Sequence, residues 1–351
     1  MRASRTFPEL LAQVKKQPGT PQEEISMKPM AKLFAAAAFA ACAATSSVAH
    51  AQDFPNKSIR IIVPYAPAGN IDITARTLAP AFGEALGQTI IVENRTGAGG
   101  SIGTGAVAKA APDGYTLLLG SSGTITAGPA VYKALPYDTM KDLIPIGAIQ
   151  AVPLLLTAAP KAPIGNFREF IAYSKSKGSP ITMASSGSGT SNHLALEMLA
   201  RDAKIALTHV PYKGSGAAFS DLLGSQVETM MDQVSASIEH IRSGRLKAIA
   251  VTSLKRSPQL PNVPTLDELG VTGFEATTFT GLFAPAGTPP AVIEKLQGAL
   301  KKVLALEALR ERYRSFGVEM MDMSPAEFAT FVRADAERWR KVAREANIVV
   351  E

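Results

Sequence analysis

The sequence YAPAGNID, residues 65–72, lies between a short apolar run and a longer run with apolar residues at helical spacing. Ile59–Val63 has the composition of a buried parallel strand, and residues 73–86 repeat apolar positions with the period of a helix. The first free N–H groups of such a helix face the space beyond the strand end, where the helix dipole favours an anion. Residues 65–72 contain no Lys or Arg, so we expect this loop to bind an acid through backbone donors and hydroxyls.

Strand and helix patterns alternate along the rest of the chain, which predicts an α/β fold with largely parallel sheets. Two more loops of small and hydroxyl residues follow predicted strands, GSSGT at 120–124 and SGSGTSN at 186–192. Pro153 separates two predicted strands, 144–149 and 154–157. Asn166 with Glu169, and Ser324 with Glu327, have the spacing of helix capping boxes.

The length of the chain favours two domains. We predict that the chain crosses near Ala151 and returns through a β-like stretch at 277–283. The first domain would then comprise residues 52–150 and 277–351, and the second residues 151–276.

The first 51 residues have the pattern of a secretory signal preceded by an extension. Residues 27–51 combine two lysines, a short apolar core and an Ala49-His50-Ala51 cleavage site, which predicts export to the periplasm and cleavage after Ala51. Residues 1–26 show no periodicity, and both Met1 and Met27 stay open as the start. An alternative makes Cys42 a lipidation site.

Charge and cysteine content exclude several classes of function. Cleavage would remove six basic and three acidic residues, lowering the net charge from +6 to +3, and no basic block is interleaved with aromatic residues. We therefore expect no nucleic-acid partner. Cys42 is the single cysteine, so the mature chain would have no disulfide and no thiolate metal site. We predict neither a metal nor a cofactor.

Seven motifs, in order, resemble the substrate-binding proteins of tripartite tricarboxylate transporters, the Bug or TctC-like family. They are RIIVPYAPAGNID (60–72), VENRTGAGGSIG (92–103), APDGYTLLLG (111–120), LPYD (135–138), SSGSGTSNH (185–193), VPYKGS (210–215) and SPQLPNVPT (257–265). The resemblance covers nearly all of residues 52–351. It departs from the family at 68–69, where Ala-Gly replaces two glycines, and at Asn70-Ile71, where Ala-Thr is common.

The resemblance implies a type II periplasmic-binding-protein fold, with two α/β domains joined by two crossing strands and a cleft that closes on a small mono-, di- or tricarboxylate. It also implies a monomer that works with membrane transporter subunits. Carried over by position, the ligand contacts would be Ala68, Gly69 and Asp72 from one loop and Ser186, Gly189, Thr190 and Ser191 from another. Ser121, Thr124, His193 and Gln233 complete the predicted site because they end strands or start a helix at the same cleft.

Several of these residues have a structural alternative. Asp72 and Thr190 could serve as helix caps, and His193 could be a packing residue. Trp339, the single tryptophan, is predicted on an outer helix away from the cleft.

Two other functions are alternatives to binding for transport. Residues 99–103 fit the G-x-S-x-G pattern of a serine hydrolase with Ser101 as nucleophile, but a nucleophile elbow follows its strand directly and this serine does not. We therefore predict no catalytic residue and no enzymatic activity. A ligand sensor that acts on a signalling receptor would share the fold and stays open.

Overall fold

A computed structural model describes residues 54–345 and 347–350. The predicted extension, signal peptide, cleavage site and Cys42 lie outside these residues. The strands are β1 (Ile59–Val63), β2 (Ile90–Asn94), β3 (Thr116–Ser121), β4 (Leu143–Ala158), β5 (Ile181–Ser185), β6 (Leu207–Pro211), β7 (Thr229–Gln233), β8 (Lys247–Val251), β9 (Thr277–Pro285) and β10 (Glu319–Met320). The α-helices are α1 (Asn70–Leu86), α2 (Ser101–Ala108), α3 (Gly128–Val131), α4 (Phe167–Ser176), α5 (Ser191–Asp202), α6 (Ser215–Leu223), α7 (Val234–Arg242), α8 (Pro290–Leu304), α9 (Glu307–Ser315) and α10 (Pro325–Glu345).

The strands form a mixed sheet whose two flanks are parallel and whose centre is antiparallel. The main path runs β2-β1-β3-β9-β4-β7-β5-β6, and β8 and β10 also pair with β4. Strands β1 to β3 are parallel to one another, as are β5 to β7. The centre is antiparallel because β4 and β9 run in opposite directions. We call the flank of β1 to β3 the first lobe and the flank of β5 to β8 the second lobe.

Strand β4 is shared by both lobes. Its first part pairs with β9, up to Pro153 opposite Thr277, and its second part pairs with β7 from Leu154 opposite Gln233. The prediction of two strands interrupted at Pro153 was therefore wrong. Pro153 lies where β4 changes neighbours, and a missing N–H is tolerated at such an irregular place in a sheet.

Turn chemistry fixes the ends of several helices. Asn166 accepts the N–H of Glu169 at 3.0 Å at the start of α4, and Ser324 accepts the N–H of Glu327 at 3.3 Å before α10. Both caps agree with the predicted capping boxes. A 3-10 turn, Ala98–Gly100, precedes α2, and a π-helical segment, Gly123–Ala127, follows β3.

The last helix, α10, packs against β4, the π-helical segment and α5. Trp339 is fully buried in a core cluster that contains Leu154 and Leu194. The prediction that Trp339 lies on an outer helix away from the cleft was wrong. The apolar face of α10 packs against the second lobe and buries the indole. Within residues 54–345 and 347–350, none of the helices is long and apolar enough to cross a bilayer.

Candidate ligand-binding site

A small polar cavity lies between the two lobes. We call it the inner cavity. Its volume is about 20 Å³. This is room for about one water molecule. Its walls come from both lobes and consist of Tyr65, Gly69, Asn70, Ile71, Ser121, Ser186, Ser191, Asn192, Ser215 and Gln233. None of these ten residues carries a formal charge.

Four helices start at the inner cavity. Gly69 and Gln233 immediately precede α1 and α7, while Ser191 and Ser215 are the first residues of α5 and α6. The first N–H groups of a helix lack intrahelical partners, and the positive end of its dipole attracts an anion. An uncharged cavity at four such ends is therefore suited to a negatively charged group.

The side chain of Asn70, one of the lining residues, holds a donor in a fixed orientation. Its Oδ1 accepts from Ser235 Oγ at 2.6 Å and from Gln150 Nε2 at 2.9 Å. Gln150 must present its Nε2 here, because the same nitrogen bonds Thr74 Oγ1 at 2.8 Å while that hydroxyl donates to the backbone oxygen of Asn70. The Nδ2 of Asn70 is consequently turned away from all these donors. It is buried without a partner among the described residues.

Asp72 stabilises the loop that precedes α1. Its carboxylate accepts from the Ala68 N–H at 3.0 Å, from Arg76 Nε at 3.0 Å and from Asn94 Nδ2 at 2.9 Å. Burial opposes the charge, but these hydrogen bonds and the Arg76 guanidinium hold the pKa of Asp72 below its usual value. Asp72 is the third helical residue and not the N-cap, which is Gly69.

Ala68, the position where the family pattern has glycine, has a left-handed backbone with φ of 66°. This conformation costs a residue with a Cβ about 1 kcal/mol or more. The loop packs closely on the second lobe, where a Cβ added to Gly216 would lie 2.5 Å from the backbone oxygen of Pro67.

Thr190 caps α5 in addition to shaping its own loop. Its Oγ1 donates to the backbone oxygen of Gly187 at 2.7 Å and accepts the N–H of His193 at 3.3 Å. Thr124 has a comparable role, since its Oγ1 accepts the N–H of Ser121 at 3.2 Å. Both threonines are buried, and neither lines the inner cavity.

His193 stabilises the loop that precedes α5. Its Nδ1 accepts the N–H of Gly189 at 3.2 Å, and its ring stacks on His209 with centroids 4.1 Å apart. His209 also contacts Ser185 Oγ through Nε2 at 2.6 Å. Burial, together with the neighbouring His193, lowers the pKa of His209 to about 4, so this ring is neutral near pH 7.

A carboxyl group lies behind the second-lobe wall. Asp232 is fully buried, and its Oδ1 accepts from Asn192 Nδ2 at 2.7 Å. Its Oδ2 has no hydrogen-bond partner of ordinary geometry among the described residues. Burial raises the pKa of Asp232 to about 6, against the opposing effects of Ser215, the Gln233 N–H and Asn192.

A second cavity of about 200 Å³ adjoins the first. We call it the outer chamber. It shares Tyr65 and Ser186 with the inner cavity. The other lining residues are Gly97, Ala98, Gly99, Gly100, Tyr132, Gly187, Ser188, Pro211, Tyr212 and Lys213.

The walls of the outer chamber are held in place by backbone contacts. Tyr132 donates its hydroxyl to the backbone oxygen of Ser188 at 2.9 Å, which joins the lobes. The Ala66 N–H donates to the backbone oxygen of Lys213 at 3.2 Å. Val350 flanks Tyr132, because its N–H donates to the Val131 oxygen at 2.9 Å and its own oxygen accepts from the Lys133 N–H at 3.2 Å.

The inner cavity brings together five of the predicted site residues, Gly69, Ser121, Ser186, Ser191 and Gln233. Ala68, Asp72, Thr124, Gly189, Thr190 and His193 lie behind this surface and shape its loops. Sequence reasoning did not select Tyr65, Asn70, Ile71, Asn192 and Ser215. All five lie in quoted motifs, and four of them are polar or aromatic, but which residues face the cleft depends on tertiary contacts.

The serine-hydrolase geometry is not formed around Ser101. This residue starts α2 after the 3-10 turn, and no hydrogen bond joins it to a histidine among the described residues. In the same part of the chain, no group of three or more His, Asp or Glu is placed to hold a metal ion.

Two α/β lobes, two crossing strands and a polar interlobe cavity define a protein of the periplasmic-binding-protein class. Residues 74–348 match the sequence model of the family described as "Tripartite tricarboxylate transporter family receptor". This chain belongs to that family.

The chain is similar to three relatives over nearly their whole lengths. BugT of Bordetella pertussis is 37% identical over 308 residues, covering 88% of this chain and 94% of BugT. The structure of the periplasmic binding protein BugD aligns with a TM-score of 0.82 and 38% identity, over 85% of this chain and all of BugD. MatC from Rhodopseudomonas palustris with bound malate aligns with a TM-score of 0.79 and 34% identity, over 82% of this chain and 99% of MatC.

Proposed function

We propose that this protein captures a small organic carboxylate in the inner cavity and delivers it to the membrane subunits of a tripartite transporter. The observation that carries the proposal is the buried, unpartnered Nδ2 of Asn70, a residue that lines a cavity with uncharged walls. A donor in that position lowers its free energy when it gains an acceptor. A carboxylate supplies such an acceptor together with the charge that four helix N-termini favour.

Closure of the lobes is the proposed mechanism. Ser235 with Asn70, Lys213 with Ala66, and Ser188 with Tyr132 form hydrogen bonds between the lobes. Because about 20 Å³ is too small for a carboxylate, entry requires these contacts to open. A ligand then stabilises the closed state only by the contacts that it makes better in that state. We propose hinges near Ala151 and at residues 276–277, with the domains as predicted from sequence.

Export to the periplasm, with cleavage after Ala51, is part of the same proposal. The similarity of the chain to BugD, which is a periplasmic binding protein, supports this part of the proposal. We propose no catalytic step. Asp72, Thr190 and His193 serve in this proposal to hold the binding loops, while Gly69, Ser121, Ser186, Ser191 and Gln233 face the ligand.

A thermal-shift screen tests the class of ligand. Mono-, di- and tricarboxylates are added to the purified protein, with sugars and cationic amino acids as comparison solutes. A ligand that binds only the folded state at 100 times its Kd adds about 2.7 kcal/mol of stability, which raises the Tm by several degrees. The proposal fails if sugars or cationic amino acids raise the Tm and no carboxylate does.

A further inference from the structure

The first turn of α6 in the second lobe meets the loop that precedes α1 in the first lobe. A Cβ at Gly216, the second residue of α6, would lie 2.5 Å from the backbone oxygen of Pro67. Gly216 lines neither the inner cavity nor the outer chamber. We propose that Gly216 is a positioning residue whose missing side chain lets the lobes close, and that a Cβ there holds them apart. This inference rests on the lobe closure of the proposed function and identifies a residue that sets it.

Main-chain atoms of both lobes form this contact. The Ala66 N–H donates to the backbone oxygen of Lys213 at 3.2 Å. A Cβ added to Gly214 would lie 2.8 Å from the Ala66 nitrogen, and one added to Gly69 would lie 3.5 Å from the Cβ of Ser215. Main-chain atoms cannot rotate away from a new methyl group as the end of a long side chain can. The lobes therefore meet with little room for a further side chain on the first lobe's side of α6.

The carbonyl group of Pro67 is held in the direction of Gly216. Its oxygen belongs to a planar trans peptide and points opposite to the N–H of Ala68. That N–H donates to Asp72 Oδ2 at 3.0 Å, and Arg76 Nε holds the same carboxylate at 3.0 Å. Because turning the carbonyl away from α6 would break the hydrogen bond to Asp72, a methyl group at residue 216 would move the lobes apart more easily than it would turn the carbonyl.

Gly216 differs from the other glycines at this contact in its backbone conformation. Gly99 and Gly214 have φ of 60° and 131°, so a side chain at either position would strain its own backbone. Gly216 is helical and is not among the residues with positive φ. Alanine has a higher helix propensity than glycine. Gly216→Ala should therefore leave both lobes folded and act on their closure.

Disulfide trapping measures this closure without a ligand. The 3.5 Å between the Cβ positions of residues 69 and 215 lies in the range of disulfides, so Gly69→Cys and Ser215→Cys can form a bond when the lobes meet. In a chain that also carries Cys42→Ser, the loss of free thiols after addition of diamide gives the rate of trapping. We expect Gly216→Ala to slow trapping by about tenfold or more, as for a methyl group forced into a packed contact. Its unfolding in urea should remain cooperative.

Two glycines provide matched controls. Gly298→Ala on α8 makes the same change where a Cβ would have nothing within 4 Å, and it should be trapped at the rate of the parent chain. Gly83→Ala places a Cβ 2.8 Å from the backbone oxygen of Gln88 within the first lobe, so it should lower the free energy of unfolding and leave the trapping rate of the folded protein unchanged.

Equal trapping rates with glycine and alanine at residue 216, or no disulfide with either, would overturn the proposal. A drop in trapping that Gly83→Ala reproduces would also overturn it, because destabilisation of one lobe would then explain the result. The assay contains no ligand, so its failure leaves carboxylate capture in place. If the thermal-shift screen finds no carboxylate ligand, the proposed function fails while the trapping rates stand.

Discussion

Ser235 Oγ donates a 2.6 Å hydrogen bond to Asn70 Oδ1 and thereby joins the start of α7 in the second lobe to the start of α1 in the first. The same oxygen accepts from Gln150 of the shared strand β4. The Asn70 amide is thus hydrogen-bonded to the second lobe and to the strand that both lobes share. These two donors hold the oxygen of the amide and thereby set the orientation of its free Nδ2.

Asn70→Asp should greatly weaken carboxylate binding. The substitution keeps an oxygen for Ser235 and Gln150 but replaces the free donor with a second oxygen and adds negative charge. Loss of a hydrogen bond to a charged group costs about 1.5 to 3 kcal/mol, which is about 10- to 150-fold in Kd, and repulsion adds to it. Calorimetry with the tightest carboxylate of the thermal-shift screen measures the change. Asn166→Asp, at the N-cap of α4, is the matched control and should bind normally.

Thr190→Ala should destabilise the fold more clearly than it removes a ligand contact. Its hydroxyl caps α5 and bonds Gly187, and loss of such a cap costs about 1 kcal/mol. Thr190→Ser keeps the hydroxyl and should retain most of that stability. Urea unfolding of the three proteins gives the comparison. An alanine variant with unchanged stability but a Kd more than tenfold weaker would instead make the hydroxyl a direct ligand contact.

Asp232 should make the protein less stable as the pH rises through about 6. The folded-state pKa of about 6 lies above the ordinary value of 3.8 for an aspartate, so the native state binds more protons than the unfolded state between these values. This contribution to the unfolding free energy is fully present below pH 4 and is lost above pH 6. Asp232→Asn should flatten the pH dependence in that window, as measured by chemical unfolding between pH 4 and 7.

The control for the pH experiment is Glu337→Gln, which removes an exposed carboxylate on α10. It should preserve the wild-type slope between pH 4 and 6. An Asp232→Asn profile with the wild-type slope would show that this carboxyl group titrates at its ordinary value in the folded protein.

Trp339 should report ligand binding by its fluorescence. The indole is fully buried in the cluster with Leu154 and Leu194, and the Arg338 guanidinium lies 4.7 Å from the ring centroid. Asp335, on the same helix, accepts from Thr126 Oγ1 at 2.6 Å. Movement of the second lobe relative to this helix would change the surroundings of the ring. Unaltered emission at a ligand concentration that saturates calorimetric binding would contradict this expectation, and Trp339→Phe controls for tyrosine emission.

The sequence predicted elements well where local pattern and local chemistry agree. Strand β1 and helix α4 have the predicted bounds, because an apolar run or a capping box limits each of them without help from the rest of the fold. It also predicted that Ser121, Ser186 and Gln233 meet, because each of them ends or follows a strand at the same edge of the sheet.

Other features depend on partners that are remote in sequence. The orientation of Asn70 is set by Gln150 and Ser235, which are 80 and 165 residues away. The direction of Trp339 depends on which lobe α10 covers, and helical periodicity predicts an apolar face without identifying its neighbour. Thr190 has one hydroxyl, which could cap α5 or contact a ligand. Only the folded loop shows that this hydroxyl caps α5 and bonds the Gly187 oxygen.

The pairing of Val350 with the backbone on both sides of Tyr132 has a practical consequence for work with shortened chains. A fragment that ends before Val350 would retain every inner-cavity residue but lose the two backbone hydrogen bonds beside that ring. Such a fragment should hold the Tyr132 ring, whose hydroxyl bonds the Ser188 oxygen of the other lobe, less firmly. Proteolytic trimming at this end would therefore loosen a contact between the lobes without touching a residue that lines either cavity.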